Sequence, residues 1–470
     1  MTDAGSISIL PPLLAIVLAI WSRQVYLSLA GGVWLGWTIL EGWNPLAGLG
    51  AAIEAVVSVF GDPGDTKVLL FTLVIGALIA TVEASGGVRG FVRRLEEREW
   101  VTSARRAQLL AWAVGVVIFI ESNITVLVAG AISRPLFDRF KSSREKLAYL
   151  IDSTSAPICI LIPLNAWGAY NLGILAGLGV EDPLIVFVRA VLLNFYAMAA
   201  VLLALATVLW GIDIGPMKKA EERTRAGELL WPGSTPMIDE DILSPPASER
   251  IPARAFNMVV PIAVMVVMMP VGLLITGGGD LTEGSGSTSV LWAVMAGLAA
   301  AWLLLLAQRA YGVDELVRTG LKGAGGLVPL ALILLLALAL GDVANELGTG
   351  RYVARVTAGV LPPVLFLPLV FLVAAGIAFS TGTSWGTFAI MLPIAVPAAG
   401  ALGLPLAPFV AASLSGGVFG DHCSPISDTT IISSMAAATD HIDHVRTQLP
   451  YALIAAGVAT LAFAALGATL

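Results

Sequence analysis

From Gly420 to Thr430 the chain reads GDHCSPISDTT, inside an apolar run that extends from Ala407 to Ala438. Asp421 and Asp428 therefore fall where hydrocarbon is expected, and one such acid at the centre of a membrane helix costs about 2.5–3.5 kcal/mol. Pro425 removes a backbone donor and breaks the helix, which leaves carbonyls without partners. A small hard cation offsets both costs, because such ions take oxygen ligands. Asp421, Ser424, Asp428 and Thr429 are the oxygen donors of this segment. The two acids are seven residues apart, about two turns on a continuous helix, although Pro425 interrupts that register.

Three further polar islands interrupt apolar stretches. One is Glu121-Ser-Asn-Ile-Thr125, with Ser122, Asn123 and Thr125 as donors. Another is Asp152-Ser-Thr-Ser155, with Asp152, Ser153 and Ser155. The last is Ser380-Thr-Gly-Thr-Ser384, which with Thr387 offers Thr383, Ser384 and Thr387. A sodium ion is placed at Asp421, Ser424, Asp428 and Ser384. A carboxylate in this setting takes either Na⁺ or a proton, since desolvation favours the neutral acid and a bound cation favours the carboxylate. Glu121 and His422 are candidates for proton relay or pH sensing, and a capping or pairing role stays open for each. His441 and His444, in Asp440-His-Ile-Asp-His444, read as the cytoplasmic end of a helix. Glu83 reads as interfacial.

Such residues need elements to hold them. Of 470 residues, 57% are hydrophobic and only 13% charged, against about 25% charged in soluble domains. Several apolar stretches reach the roughly 20 residues that span a bilayer as a helix, so an all-α polytopic membrane protein is predicted. Spans fall at about 7–22, 25–41, 66–85, 147–179, 184–211, 256–276, 288–308, 324–341, 409–436 and 451–469. Without a basic leader and cleavage site, the first is read as retained. Cys159 and Cys423 argue no disulfide framework. No phosphate loop, zinc signature or nucleophile–base constellation is present, so an enzyme is not expected, nor a cofactor or nucleic-acid partner.

Two apolar stretches, 107–133 and 361–400, need another treatment. Arginines and lysines flank 107–133 on both sides, and positive loops stay in the cytoplasm, so this stretch enters and returns as a re-entrant hairpin. The flanks of 361–400 hold Arg351 and Arg355 alone, which suits an external hairpin. Of the 26 lysines and arginines, all but Lys67, Arg189, Arg351 and Arg355 then lie inside, and both termini lie outside. Two ordinary spans in place of each hairpin is the alternative.

This topology is an inverted repeat. Residues 1–211 carry a hairpin (107–133) and a broken span (147–179), and residues 256–470 repeat the order with a hairpin (361–400) and a broken span (409–436). Each hairpin tip is expected to face one broken helix, giving one cation site per half. Residues 212–255 form a cytoplasmic linker whose polarity argues against burial. Pro45–Phe60 and Arg309–Gly323 are read as helices lying in the interface, or as plain loops.

GDHCSPISDTT resembles the GD-x-x-SP-x-SDTT signature of NhaC-type sodium/proton antiporters, within the wider ion transporter superfamily. Asp440-His-Ile-Asp-His-Val-Arg-Thr-Gln448 is similar to the segment that follows it in one branch. The likeness runs from about Leu69 to Leu453. It implies Na⁺/H⁺ exchange across a prokaryotic inner membrane by a homodimer, in which hairpins and broken helices move against a scaffold as in elevator-type transporters. The chain departs from the pattern at Ile431, where SDTTN is usual, and at His422 and Cys423. An exchanger of Na⁺ for H⁺ is thus the leading expectation. A Na⁺- or H⁺-coupled carrier of a small organic acid or amino acid is the alternative, and a channel would need a continuous pore that two hairpin sites do not favour.

Overall fold

The computed structural model describes residues 5–22, 24–87, 90, 101–119, 122–163, 165–236, 254–279, 284–349, 352 and 363–470. Among these residues there is no strand. The first half contains α1 (Leu10–Ser22), α2 (Val25–Leu40), α3 (Pro45–Ser58), α4 (Pro63–Ala84), α5 (Ala104–Val117), α6 (Ser122–Arg139), α7 (Arg144–Ser153), α8 (Ala156–Leu161), α9 (Ala166–Gly177), α10 (Pro183–Leu192) and α11 (Phe195–Trp210). The connector contributes α12 (Pro216–Arg225). The second half follows with α13 (Phe256–Thr276), α14 (Gly286–Ala307), α15 (Val313–Gly326), α16 (Val328–Leu347), α17 (Pro363–Thr381), α18 (Ser384–Ala401), α19 (Leu406–Cys423), α20 (Asp428–Ala437) and α21 (His441–Gly467).

Seven of these segments are long and apolar enough to cross a bilayer, and three bent pairs raise the number to ten if each counts as one span. Two helix breaks fall at prolines. Between α8 and α9 the chain passes Pro163, and Asn165 caps the next helix by accepting the Gly168 N–H at 3.0 Å. Between α19 and α20 it passes Pro425, and Ser427 caps α20 through the Thr430 N–H. The turn between α2 and α3 is 119°, so Pro45–Ser58 is a helix that turns away from its predecessor. Here Asn44 accepts from the Leu46 and Ala47 N–H groups and Pro45 opens the helix.

The two predicted hairpins differ. α5 has 14 residues, about 21 Å of helix, too short for a hydrocarbon core of about 30 Å. In the other, α17 and α18 each supply 18 residues or more, and each is long enough to cross by itself. The last helix also begins ten residues earlier than apolarity predicts, because Asp440 caps it by accepting the Ile442 and Asp443 N–H groups at 2.9 and 3.2 Å.

α4 packs with α14 and α15, α13 with α14, and α2 with α1 and α16. A second group gathers α5–α8, α11 and α17–α21. In this group α17 crosses α19 closely, where a Cβ on Gly416 would lie 2.2 Å from the Phe371 carbonyl and one on Gly420 2.2 Å from that of Ala375. Any side chain there would force the helices apart.

Polarity alone predicts an unburied linker, but one face of α12 is buried. Glu221, Arg223 and Thr224 of α12 are buried because their charges find partners. Glu221 Oε1 accepts from the Ser143 N–H and hydroxyl, both at 2.8 Å, and Arg223 pairs with Glu145 of α7. Ser234 and Thr235 donate to Asp443 and Asp440. The connector thus ties the start of α7 to the start of α21.

Candidate cation-binding site

Both hairpin tips meet a helix break. The carbonyl of Phe119, at the first tip, accepts from Asn165 Nδ2 at 3.0 Å, in the break between α8 and α9. At the second tip Gly382 has φ +68°, and a Cβ there would sit 2.5 Å from the carbonyl of Ile426 in the break between α19 and α20. Only glycine satisfies both that backbone and that approach.

The second tip brings a predicted pair together. Asp421 is 2% exposed, and its Oδ2 accepts from the Ser384 N–H at 3.0 Å and the Ser384 hydroxyl at 2.5 Å. Ser384 opens α18, so the helix N-terminus, with its positive dipole end, points at the carboxylate. The Ser384 hydroxyl is also 3.3 Å from the Gly417 carbonyl. Ser424 is buried in the break and donates to the Phe379 carbonyl at 2.7 Å. Thr429 lies 3.0 Å from Ser427 through their hydroxyls. Thr383 precedes α18, and its carbonyl accepts from Thr387. Asp428 is the first residue of α20, and its side chain lies outside the described residues.

The first tip is less rich. Ser122 is buried at the start of α6, and the Thr125 hydroxyl donates to the Ile118 carbonyl. Glu121 and the side chain of Asn123 lie outside the described residues. Among the described residues, none of the hydrogen bonds of Asp152 comes from this tip. Its Oδ2 accepts from Thr430 Oγ1 at 3.2 Å and Gln448 Nε2 at 2.7 Å, and lies 3.3 Å from His444 Nε2 and 3.9 Å from His422 Nε2. Every one of these partners belongs to the second half. Ser153 Oγ is 3.3 Å from His422 Nε2, Tyr196 OH is 2.7 Å from His422 Nδ1, and Ser155 donates to the Asp152 carbonyl at 2.9 Å.

Sequence reasoning missed His444 and Gln448. His444 lies in the first turn of α21, at a helix end, and is fully buried there, and Gln448 follows four residues later on the same face. That spacing was the available signal. Aromatic packing at the second tip was missed as well: the rings of Trp385 and Trp167 pack tilted at 45° with centroids 4.6 Å apart, and Tyr170 donates to the Trp385 carbonyl at 3.0 Å.

The described residues form an all-helical bundle whose broken helices bury carboxylates. Its fold is similar to that in the crystal structure of the Alcanivorax borkumensis YdaH transporter, with a TM-score of 0.58, 15% identity and coverage of 97% of this chain and 98% of that one. The chain belongs to the Na⁺/H⁺ antiporter family, whose model matches residues 158–468. An uncharacterized protein of Haemophilus influenzae is 35% identical over 98% of this chain and 91% of its own. The malate-2H⁺/Na⁺-lactate antiporter of Bacillus subtilis is 37% identical over 106 residues, 22% of each chain.

Proposed function

We propose that this antiporter-family protein exchanges Na⁺ for H⁺, with Asp421 as the residue that holds the transported ion. The observation that supports it is the buried Asp421 carboxylate at the junction of a hairpin tip and a helix break. Ser384 and Ser424 supply further oxygens within this junction, and Asp428 and Thr429 open the half-helix beyond it. Na⁺ binding favours the carboxylate and expels a proton, and protonation expels Na⁺. Alternating exposure of one seat to two sides makes that competition an exchange. The protein acts in this reading as a homodimer in a prokaryotic inner membrane, with both termini external.

The test uses purified protein in liposomes with an internal pH dye. An inward Na⁺ step is expected to drive proton efflux, and Asp421→Asn to abolish it. A second reading, coupled movement of a small organic acid, draws on the malate-2H⁺/Na⁺-lactate relative. Accumulation of labelled malate or lactate without any Na⁺-driven proton flux would replace the first reading by the second.

A further inference from the structure

Buried acids in this chain fall into two kinds. Glu145, fully buried, is matched by Arg223, and Lys146, 1% exposed, is matched by Asp213 at 2.8 Å. Each pair carries its own counter-charge. Asp152 is equally buried, yet its hydrogen bonds come from a threonine, a glutamine and an imidazole. None is a lysine or arginine.

A carboxylate withdrawn from water needs a compensating positive charge. Around Asp152, Asp152 Oδ1, Gln448 Oε1 and His444 Nδ1 are buried without a hydrogen-bond partner among the described residues, and with neutral imidazoles and the His444 proton on the Nε2 that faces Asp152 all three are acceptors. All three belong to side chains already joined at their other ends. Gln448 spends both amide hydrogens, one on Asp152 Oδ2 and one on the His422 carbonyl at 2.5 Å. Three buried acceptors and one uncompensated acid describe a seat for a positive charge.

We propose that Asp152, His444 and Gln448 hold one exchangeable positive charge, a proton or an alkali cation, at a site separate from Asp421. The proposal rests on the reading of the protein as a cation exchanger. The ionisable groups facing this seat are His422 and Cys423 on α19 and His444 on α21, with Tyr196 on α11. Asp421 is the residue before His422. Adjacent residues of α19 therefore serve the two seats, so a shift of the α19 end at the hairpin tip changes the surroundings of both.

The experiment counts charges on purified protein in detergent, where no transport is required. Protons bound between pH 5 and 9 are measured by potentiometry and Na⁺ by isotope binding, for wild type and Asp152→Asn. A loss of about one proton per chain assigns the seat to a proton, and a loss of about one Na⁺ assigns it to the alkali cation. Gln448→Lys guards against misfolding, since it places a permanent ammonium beside Asp152; it is expected to stay folded and lose the same single charge. Unchanged counts in both folded variants overturn the proposal. Wild type lacking Na⁺-driven proton flux in liposomes, with a one-charge loss in Asp152→Asn, sinks the Na⁺/H⁺ reading alone.

Discussion

Arg223 on α12 and Glu145 on α7 form a two-pronged pair, Nη1 to Oε1 at 2.8 Å and Nη2 to Oε2 at 3.0 Å. Both are buried. The connector therefore anchors the start of the helix whose far end carries Asp152. Removing one partner of a buried pair strands a charge and costs about 3–5 kcal/mol, whereas removing both costs far less. Arg223→Gln is expected to lower the thermal unfolding midpoint in detergent clearly, and Glu145→Gln/Arg223→Gln to recover part of the loss. Additive losses would mean that the two residues act independently.

At the second hairpin tip Ser384 gives Asp421 two hydrogen bonds, one from the backbone and one from the hydroxyl. Ser384→Ala keeps the first. Hydrogen bonds to charged groups contribute about 1.5–3 kcal/mol, so apparent Na⁺ affinity should fall by a factor of about 10 to 100 with the fold intact. Affinity equal to wild type, measured as the half-saturating Na⁺ concentration in liposomes, would remove Ser384 from the site.

Much of this arrangement is legible in the sequence, for physical reasons. Apolar length reveals spans, and Pro425 reveals a break because a missing N–H shows in the residue type itself. Asp421 and Ser384 were legible as polar groups in hydrocarbon. Their meeting was legible only in outline, as a tip facing a break. The environment of Asp152 was not, since pairing D-x-x-S runs by eye gives it the role of Asp421 in the other half. The structure instead gives it partners from α20 and α21. The burial of His444 was not legible because a charged helix start looks solvated until a buried carboxylate is placed beside it. Burial of α12 failed for the same reason: composition reports charge, and pairing decides whether charge can be buried.

Asp440 predicts a pH dependence at the connector. Partial burial raises its carboxyl, but the N–H groups of Thr235, Asp443 and Ile442 and the Thr235 hydroxyl outweigh this and hold it below the usual carboxylate range. A depressed folded value means that docking of Thr235 is at full strength above the unfolded value, about 3.9, and is lost as pH falls through the folded one. Amide exchange at Thr235, corrected for its intrinsic rate, should be slow from about pH 5 upward and accelerate below about pH 4. Asp440→Asn should show no such step, and a step that persists in it would assign the transition elsewhere.

Gly382 tests whether the hairpin tip itself sets ion affinity. Its φ of +68° disfavours any side chain, by roughly 1–2 kcal/mol for an L-residue. Gly403 has nearly the same backbone, φ +67°, but open space where a Cβ would go, whereas at Gly382 that atom would meet the Ile426 carbonyl at 2.5 Å. Gly382→Ala and Gly403→Ala therefore share the conformational cost and differ in the collision. The collision must push the tip from the helix break, and the tip carries Ser384, two residues on, to Asp421. Gly382→Ala should raise the half-saturating Na⁺ concentration about tenfold, while Gly403→Ala leaves it near wild type and lowers only thermal stability. Equal affinities in the two variants, each folded, would show that Asp421 binds its ion without help from the tip.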